Sequence, residues 1–175
     1  LNSLLEGCKF LQKNKFKFIS IPCNTAHYWY SDLKNKVKIP ILNMPELVYK
    51  SASRSCKRQT KIGLLATDAT IKTKIYSNFF NKNFELCVPP KKIQISYVNK
   101  SIKLVKMGKT KAAEKALKPA VKYLLQINCK KIILGCTELP IAIFAYKSFK
   151  KAKLSKTFLV PNLILAEDSM KYYKK

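Results

Sequence analysis

Short runs of aliphatic and β-branched residues, each followed by a stretch with helical spacing, recur along the chain, and this rhythm restricts the fold more than any other feature. Ile62–Ala66, Ile132–Leu134 and Phe158–Val160 are apolar runs of strand length, and Phe84–Val88 reads as a further strand, stopped by Pro89 and Pro90. The apolar runs are continuous rather than alternating, as in strands buried on both faces. Between and after them, Thr70–Asn83, the positions Ile93, Val98, Ile102 and Val105, then Thr110–Asn128, Glu138–Tyr146 and Pro161–Tyr173 read as helices. Pro161 suits an early helical position, whereas Pro119 is expected to kink or split its helix. The chain opens in the same way. Leu4, Leu5, Cys8 and Leu11 predict a helix over about residues 3–14, and a strand from Phe16 to Ile21 ends at Pro22. A helix from Thr25 to Asn35, a strand at Ile39–Leu42 and a helix over Pro45–Ser53 follow. Alternating buried strands and helices predict an α/β fold with parallel sheets.

Composition narrows the class. The chain has 175 residues, 47% of them hydrophobic, with only 4 Gly and 8 Pro, which excludes a disordered tail or a collagen-like repeat. No apolar run approaches the ~20 residues that cross a bilayer, and no secretory signal is visible, so the expected compartment is the cytoplasm, with no membrane partner. Lys and Arg number 35 against 9 Asp and Glu, a formal net charge of +26. Only Arg54 and Arg58 are arginine, the residue suited to bidentate contacts with bases and phosphates. The lysines alternate with core-like residues, as on solvated faces, and point to a compositional bias rather than a specific nucleic-acid partner. Six cysteines form no CxxC pair, and the lone His27 completes no usual zinc set with them. Cys8, Cys87 and Cys129 fall among apolar positions and read as small buried hydrophobes.

Two segments echo one another. FLQKNKFKFISIPCNTAHY (10–28) and LLQINCKKIILGCTELPIA (124–142) each run from a helix end through a lysine-bearing turn and a strand to Pro or Gly, then Cys and a small polar residue. Cys23 and Cys136 therefore fall where a parallel strand ends and a helix begins, the edge at which open α/β sheets bind ligands. A helix N-terminus there is expected to lower a thiol pKa and to offer N–H groups to a carboxylate. Two thiols on opposite sides of one carbon would form a two-base apparatus, one removing a proton and the other returning one to the opposite face. Asn24, Thr25 and Thr137 add short polar side chains at the same edges.

The segments IPCNTAHYWY (21–30) and ILGCTELP (133–140) resemble the two signature motifs of the aspartate/glutamate racemase superfamily, and the ELP ending is closest to aspartate racemases and broad-specificity relatives. IPILNM (39–44), GLLATDATIK (63–72) and LVKMGK (104–109) agree with that resemblance. It implies two pseudo-symmetric Rossmann-like domains with the substrate between them, no pyridoxal phosphate, no metal, and a homodimer as a common assembly. It further implies that Cys23 and Cys136 are the acid/base pair and that Asn24, Thr25, Thr137 and Glu138 line the pocket. Thr67 would offer donors to a substrate carboxylate, and Lys106 would recognise an acidic amino acid. His27, one helical turn beyond Cys23, would hydrogen-bond near the thiol, cap or pack.

Relatives begin with a strand, a Gly-rich loop and a segment bearing a substrate-binding arginine, whereas this sequence opens at Leu1 in helical pattern and carries Val160 where they usually have Asp. The expectation is a chain lacking roughly the first 70 to 80 residues of a two-domain relative. Residues 1–50 with 155–175 would form a partial first α/β domain and 60–148 a complete second one, with 51–59 and 149–154 as linkers. Strands Phe18–Pro22 and Ile39–Leu42 would then present open edges. Three rival readings stand beside the racemase: an inactive remnant, a superfamily isomerase or decarboxylase, and a polyanion-binding protein.

Overall fold

A computed structural model describes residues 1–144 and 156–173. The linker expected at 149–154 and the end of the helix expected to reach Tyr146 lie outside the described residues. At the centre is a four-stranded parallel sheet in the order β2-β1-β3-β4, built from β1 (Lys61–Ala66), β2 (Glu85–Cys87), β3 (Lys131–Gly135) and β4 (Phe158–Leu159). Alternate side chains of the two inner strands feed two separate cores. Leu65, Ile132 and Leu134 pack with Leu117, Val121 and Leu124 of α8 (Thr110–Gln126) and with Leu139 and Ala142 of α9 (Glu138–Phe144). On the opposite face Ile62, Leu64, Ala66 and Ile133 meet Val48 and Ala52 of α3 (Met44–Ser55), together with Tyr76 and Phe80. Burial on both faces is why the inner strands read as unbroken apolar runs. A Cβ on Gly63 would sit 2.7 Å from Leu124 Cδ1, so the Leu124 side chain of α8 fills the space that glycine leaves on β1.

The amino-terminal part forms its own small cluster. α1 (Asn2–Lys13), a 3₁₀ turn (Thr25–Trp29) and α2 (Tyr30–Lys34) enclose Cys8, Ile19, Leu33, Val37 and Ile41. The strands expected at 18–22 and 39–42 are reduced to one parallel bridge, Ile19 to Ile41. Ile19 N donates to Pro40 O at 2.8 Å and Leu42 N to Ile19 O at 2.9 Å. Pro40 brings no N–H to extend the ladder backwards, and Met44 N–H, the next donor of its segment, goes to His27 Nε2 instead, so the pairing stops at one bridge.

Three further expectations are corrected. Residues 70–83 are not one helix but α4 (Asp68–Lys72) and α5 (Ser77–Phe80), parted at Lys74, whose φ is 55°. The polar stretch from residue 51 continues α3 to Ser55, with Ala52 fully buried against the sheet. α8 runs unsplit through Pro119 because its apolar face stays packed on the sheet. The segment after β2 forms α6 (Lys91–Ile93), a π turn (Gln94–Asn99) and α7 (Lys100–Lys106). α10 (Pro161–Tyr173) lies along α3 and returns to the amino-terminal part. There Leu165 packs with Leu42 and Met44, and Ser169 Oγ lies 2.7 Å from Ser20 Oγ. No helix among the described residues is long and apolar enough to cross a membrane.

Candidate active site

The register of the sheet determines what gathers at its carboxyl edge. Ala66 pairs with Gly135, so the residues that follow them, Thr67 and Cys136, leave neighbouring strands side by side. Thr67 caps α4, its hydroxyl accepting from Thr70 N at 3.2 Å, as a residue with a short side-chain oxygen does at a helix start. The amino-terminal part reaches the same place through Thr25. Its hydroxyl lies 2.8 Å from that of Thr70 and 3.4 Å from that of Thr67, and the Thr67 hydroxyl donates to Thr70 Oγ1 at 3.0 Å. Asn24, only 4% exposed, accepts at Oδ1 from the Tyr76 hydroxyl at 2.5 Å, while its Nδ2 is buried without a protein partner. Thr70 and Tyr76 were not foreseen. Thr70, three residues after the capping Thr67, carried a local signal; Tyr76, 52 residues from its partner, carried none.

Cys23 precedes this hydroxyl cluster and is exposed. Its N–H donates to Ile21 O at 2.8 Å. His27 fixes the turn from below: Met44 N–H donates to His27 Nε2 at 3.1 Å, which leaves the proton on Nδ1, and Nδ1–H donates to Cys23 O at 2.9 Å. Burial pushes the imidazole pKa below its ordinary 6.5, against the raising effect of the Cys23 and Leu42 carbonyls. His27 is therefore a neutral clamp between the Cys23 turn and the start of α3.

Cys136 is buried, and its thiol donates to Glu138 Oε2 at 2.8 Å. The Thr137 hydroxyl donates to the same oxygen at 3.0 Å, and Lys106 Nζ lies 3.7 Å from Oε1. Desolvation, followed by the hydrogen bond to the Glu138 carboxylate, pushes the Cys136 thiol up to about 12. The expectation of a lowered thiol pKa is thus reversed for this cysteine, because burial and an adjoining negative charge outweigh the helix start. Burial raises the Glu138 carboxyl, but donors from Cys136 and Thr137, with Lys106 nearby, leave it below its ordinary value. Apart from the exposed Cys23, the sequence-named residues fall into two sets, Asn24–Thr25–Thr67 and Cys136–Thr137–Glu138–Lys106, which the β1–β3 register makes neighbours. A cleft of about 600 Å³ beside α8, lined by Glu114, Lys118 and Val121 among others, touches none of them. Among the described residues no group of His, Cys, Asp and Glu is arranged to hold a metal ion.

Residues 2–158 match the Asp/Glu/hydantoin racemase family. A broad-specificity amino-acid racemase of Bacillus subtilis is 26% identical over 137 residues, covering 78% of this chain and 59% of its own length. An uncharacterized protein of Pectobacterium carotovorum is 34% identical over 116 residues, 66% of this chain and 75% of its own. Among solved structures, an aspartate racemase of Picrophilus torridus matches with a TM-score of 0.78 at 25% identity, covering 98% of this chain and 69% of that one. A putative Asp/Glu racemase of Yersinia pestis, at 20% identity and a TM-score of 0.81, shares the fold over 99% of this chain and 74% of its own.

Proposed function

The chain belongs to the Asp/Glu/hydantoin racemase family, a family of isomerases, and on that premise we propose that it is a cofactor-independent racemase of an acidic amino acid, aspartate foremost. In this reading the Cys23 thiolate takes the α-hydrogen of the substrate as a proton, leaving the electron pair on the α-carbon. The Cys136 thiol then delivers its proton to the opposite face, and the configuration inverts. Cys23 is left as thiol and Cys136 as thiolate, and exchange of protons with water restores the starting pair. The proton held on Cys136 by its bond to Glu138 supports its role as the acid in this direction.

The remaining residues bind. Asn24, Thr25 and Thr67 would meet the α-carboxylate with hydroxyl, amide and backbone donors at the start of α4, and Thr137 lines the opposite wall. Lys106, exposed at the end of α7 and 3.7 Å from Glu138, would pair with the side-chain carboxylate, which needs a cation once it leaves water. The observation that carries the reading is the junction of Thr25 with Thr67 and Thr70, which brings the Cys23 turn to the edge from which Cys136 emerges. Chiral chromatography of L- and D-aspartate incubated with the protein tests it. Racemisation is expected for the unaltered chain and a loss of at least ~10³-fold in both Cys23→Ala and Cys136→Ala. Turnover that survives removal of either thiol contradicts the two-thiol reading.

A further inference from the structure

The edge of β1 is also held from the side of α6 and α7, by residues outside the motif segments. In an α-helix, at about 100° per residue, residues five apart point some 140° away from one another. The i→i+5 geometry of a π turn returns them to one side. The turn over Gln94–Asn99 uses this: Gln94 Nε2 donates to Asn99 Oδ1 at 2.8 Å and, with its second hydrogen, to Ala66 O at 2.9 Å. Asn99 Nδ2 in turn donates to Asp68 Oδ2 at 3.0 Å. The two amides thus grip the residues on either side of Thr67. Gln94 is only 5% exposed, and its Oε1 is buried without a protein partner. Both of its donors are used and its acceptor is not, so what this buried amide does in the fold is done through its donors.

We infer that Gln94 is a positioning residue for the carboxylate site: by holding the Ala66 carbonyl it fixes the Ala66–Thr67 peptide plane and so the aim of the Thr67 donors. The bond is trans, as are all the others described, so anchoring the carbonyl toward Gln94 turns the Thr67 N–H to the opposite side. The carboxylate as ligand rests on the racemase reading; the clamp itself does not.

Gln94→Met keeps the length of the side chain and removes both donors. The expected result is a KM for aspartate raised ~10-fold with kcat changed less than ~3-fold, the mark of lost ground-state binding. Asn99→Ala, at a half-buried position, is expected to raise KM in the same direction by a smaller factor. The Thr67 amide resonance in a proton–nitrogen correlation spectrum gives a readout independent of turnover, and it is expected to shift in both variants. Inactivity of the unaltered protein contradicts the racemase reading alone, and the Thr67 resonance then decides the clamp. An unmoved Thr67 resonance in both variants, or an unchanged KM in an active and folded Gln94→Met, overturns the inference.

Discussion

Cys136 keeps its proton because it is buried and because the carboxylate beside it accepts that proton in a hydrogen bond. Replacing that carboxylate by a neutral amide removes the negative charge and weakens the hydrogen bond, which the amide oxygen still accepts, while desolvation stays in place. In Glu138→Gln the Cys136 titration is therefore expected to fall below about 12, read as thiolate ultraviolet absorbance against a Cys136→Ala control. A midpoint that stays or climbs would show that Glu138 does not govern the thiol. His27 makes a second residue-level prediction. The unfolded chain binds a proton there near pH 6.5, while the folded chain, with its imidazole pKa lowered, does not until lower pH. In that window the unfolded state holds more protons, so stability drops as the pH falls through 6.5. Urea unfolding as a function of pH is expected to show this slope in the unaltered protein and a weaker one in His27→Gln; an identical slope in both would exclude His27 as its source. The motif cysteines and Thr67 were legible because their types and neighbours are local. The partners that set their chemistry were not: Tyr76 for Asn24 and Gln94 for Ala66 are pairings across the fold, with no periodicity to betray them.

At the scale of elements, β1, β3 and α10 emerged nearly residue for residue, since doubly buried strands and a proline at the first helical position leave plain marks. The misread elements share a cause, in that the deciding term was not side-chain pattern. Lys74 parts α4 from α5 through a left-handed backbone that no apolar spacing encodes. Pro40, together with the Met44 N–H given to His27, denies donors to a ladder that the β-branched residues nearby would favour. Pro119 goes the other way: α8 tolerates the missing N–H because Leu117, Ala120, Val121 and Leu124 remain packed. Its cost is still present in the folded state. Pro119→Ala is accordingly expected to stabilise the protein by about 1–3 kcal/mol, seen as a higher urea midpoint with an unchanged slope. A midpoint that is equal or lower would mean that the ring itself supplies packing worth as much as the restored helix.

The molecule as a whole joins a small amino-terminal cluster to a doubly covered sheet, and the joint is where the candidate chemistry lies. Polar contacts make that joint on one side, with Thr25 on Thr67 and Thr70 and Asn24 on Tyr76. Apolar contacts make it on the other, where Leu165 of α10 meets Leu42 and Met44. A joint of this kind matters to catalysis only if each part brings one reacting thiol to the same carbon. Racemisation followed in deuterated water from a single enantiomer tests that most directly, with α-carbon isotope content measured separately in both enantiomers at low conversion. Two thiols acting on opposite faces yield product carrying deuterium while the recovered substrate keeps its hydrogen. Deuterium appearing equally in substrate and product from the outset, or product that retains the original hydrogen, would contradict it.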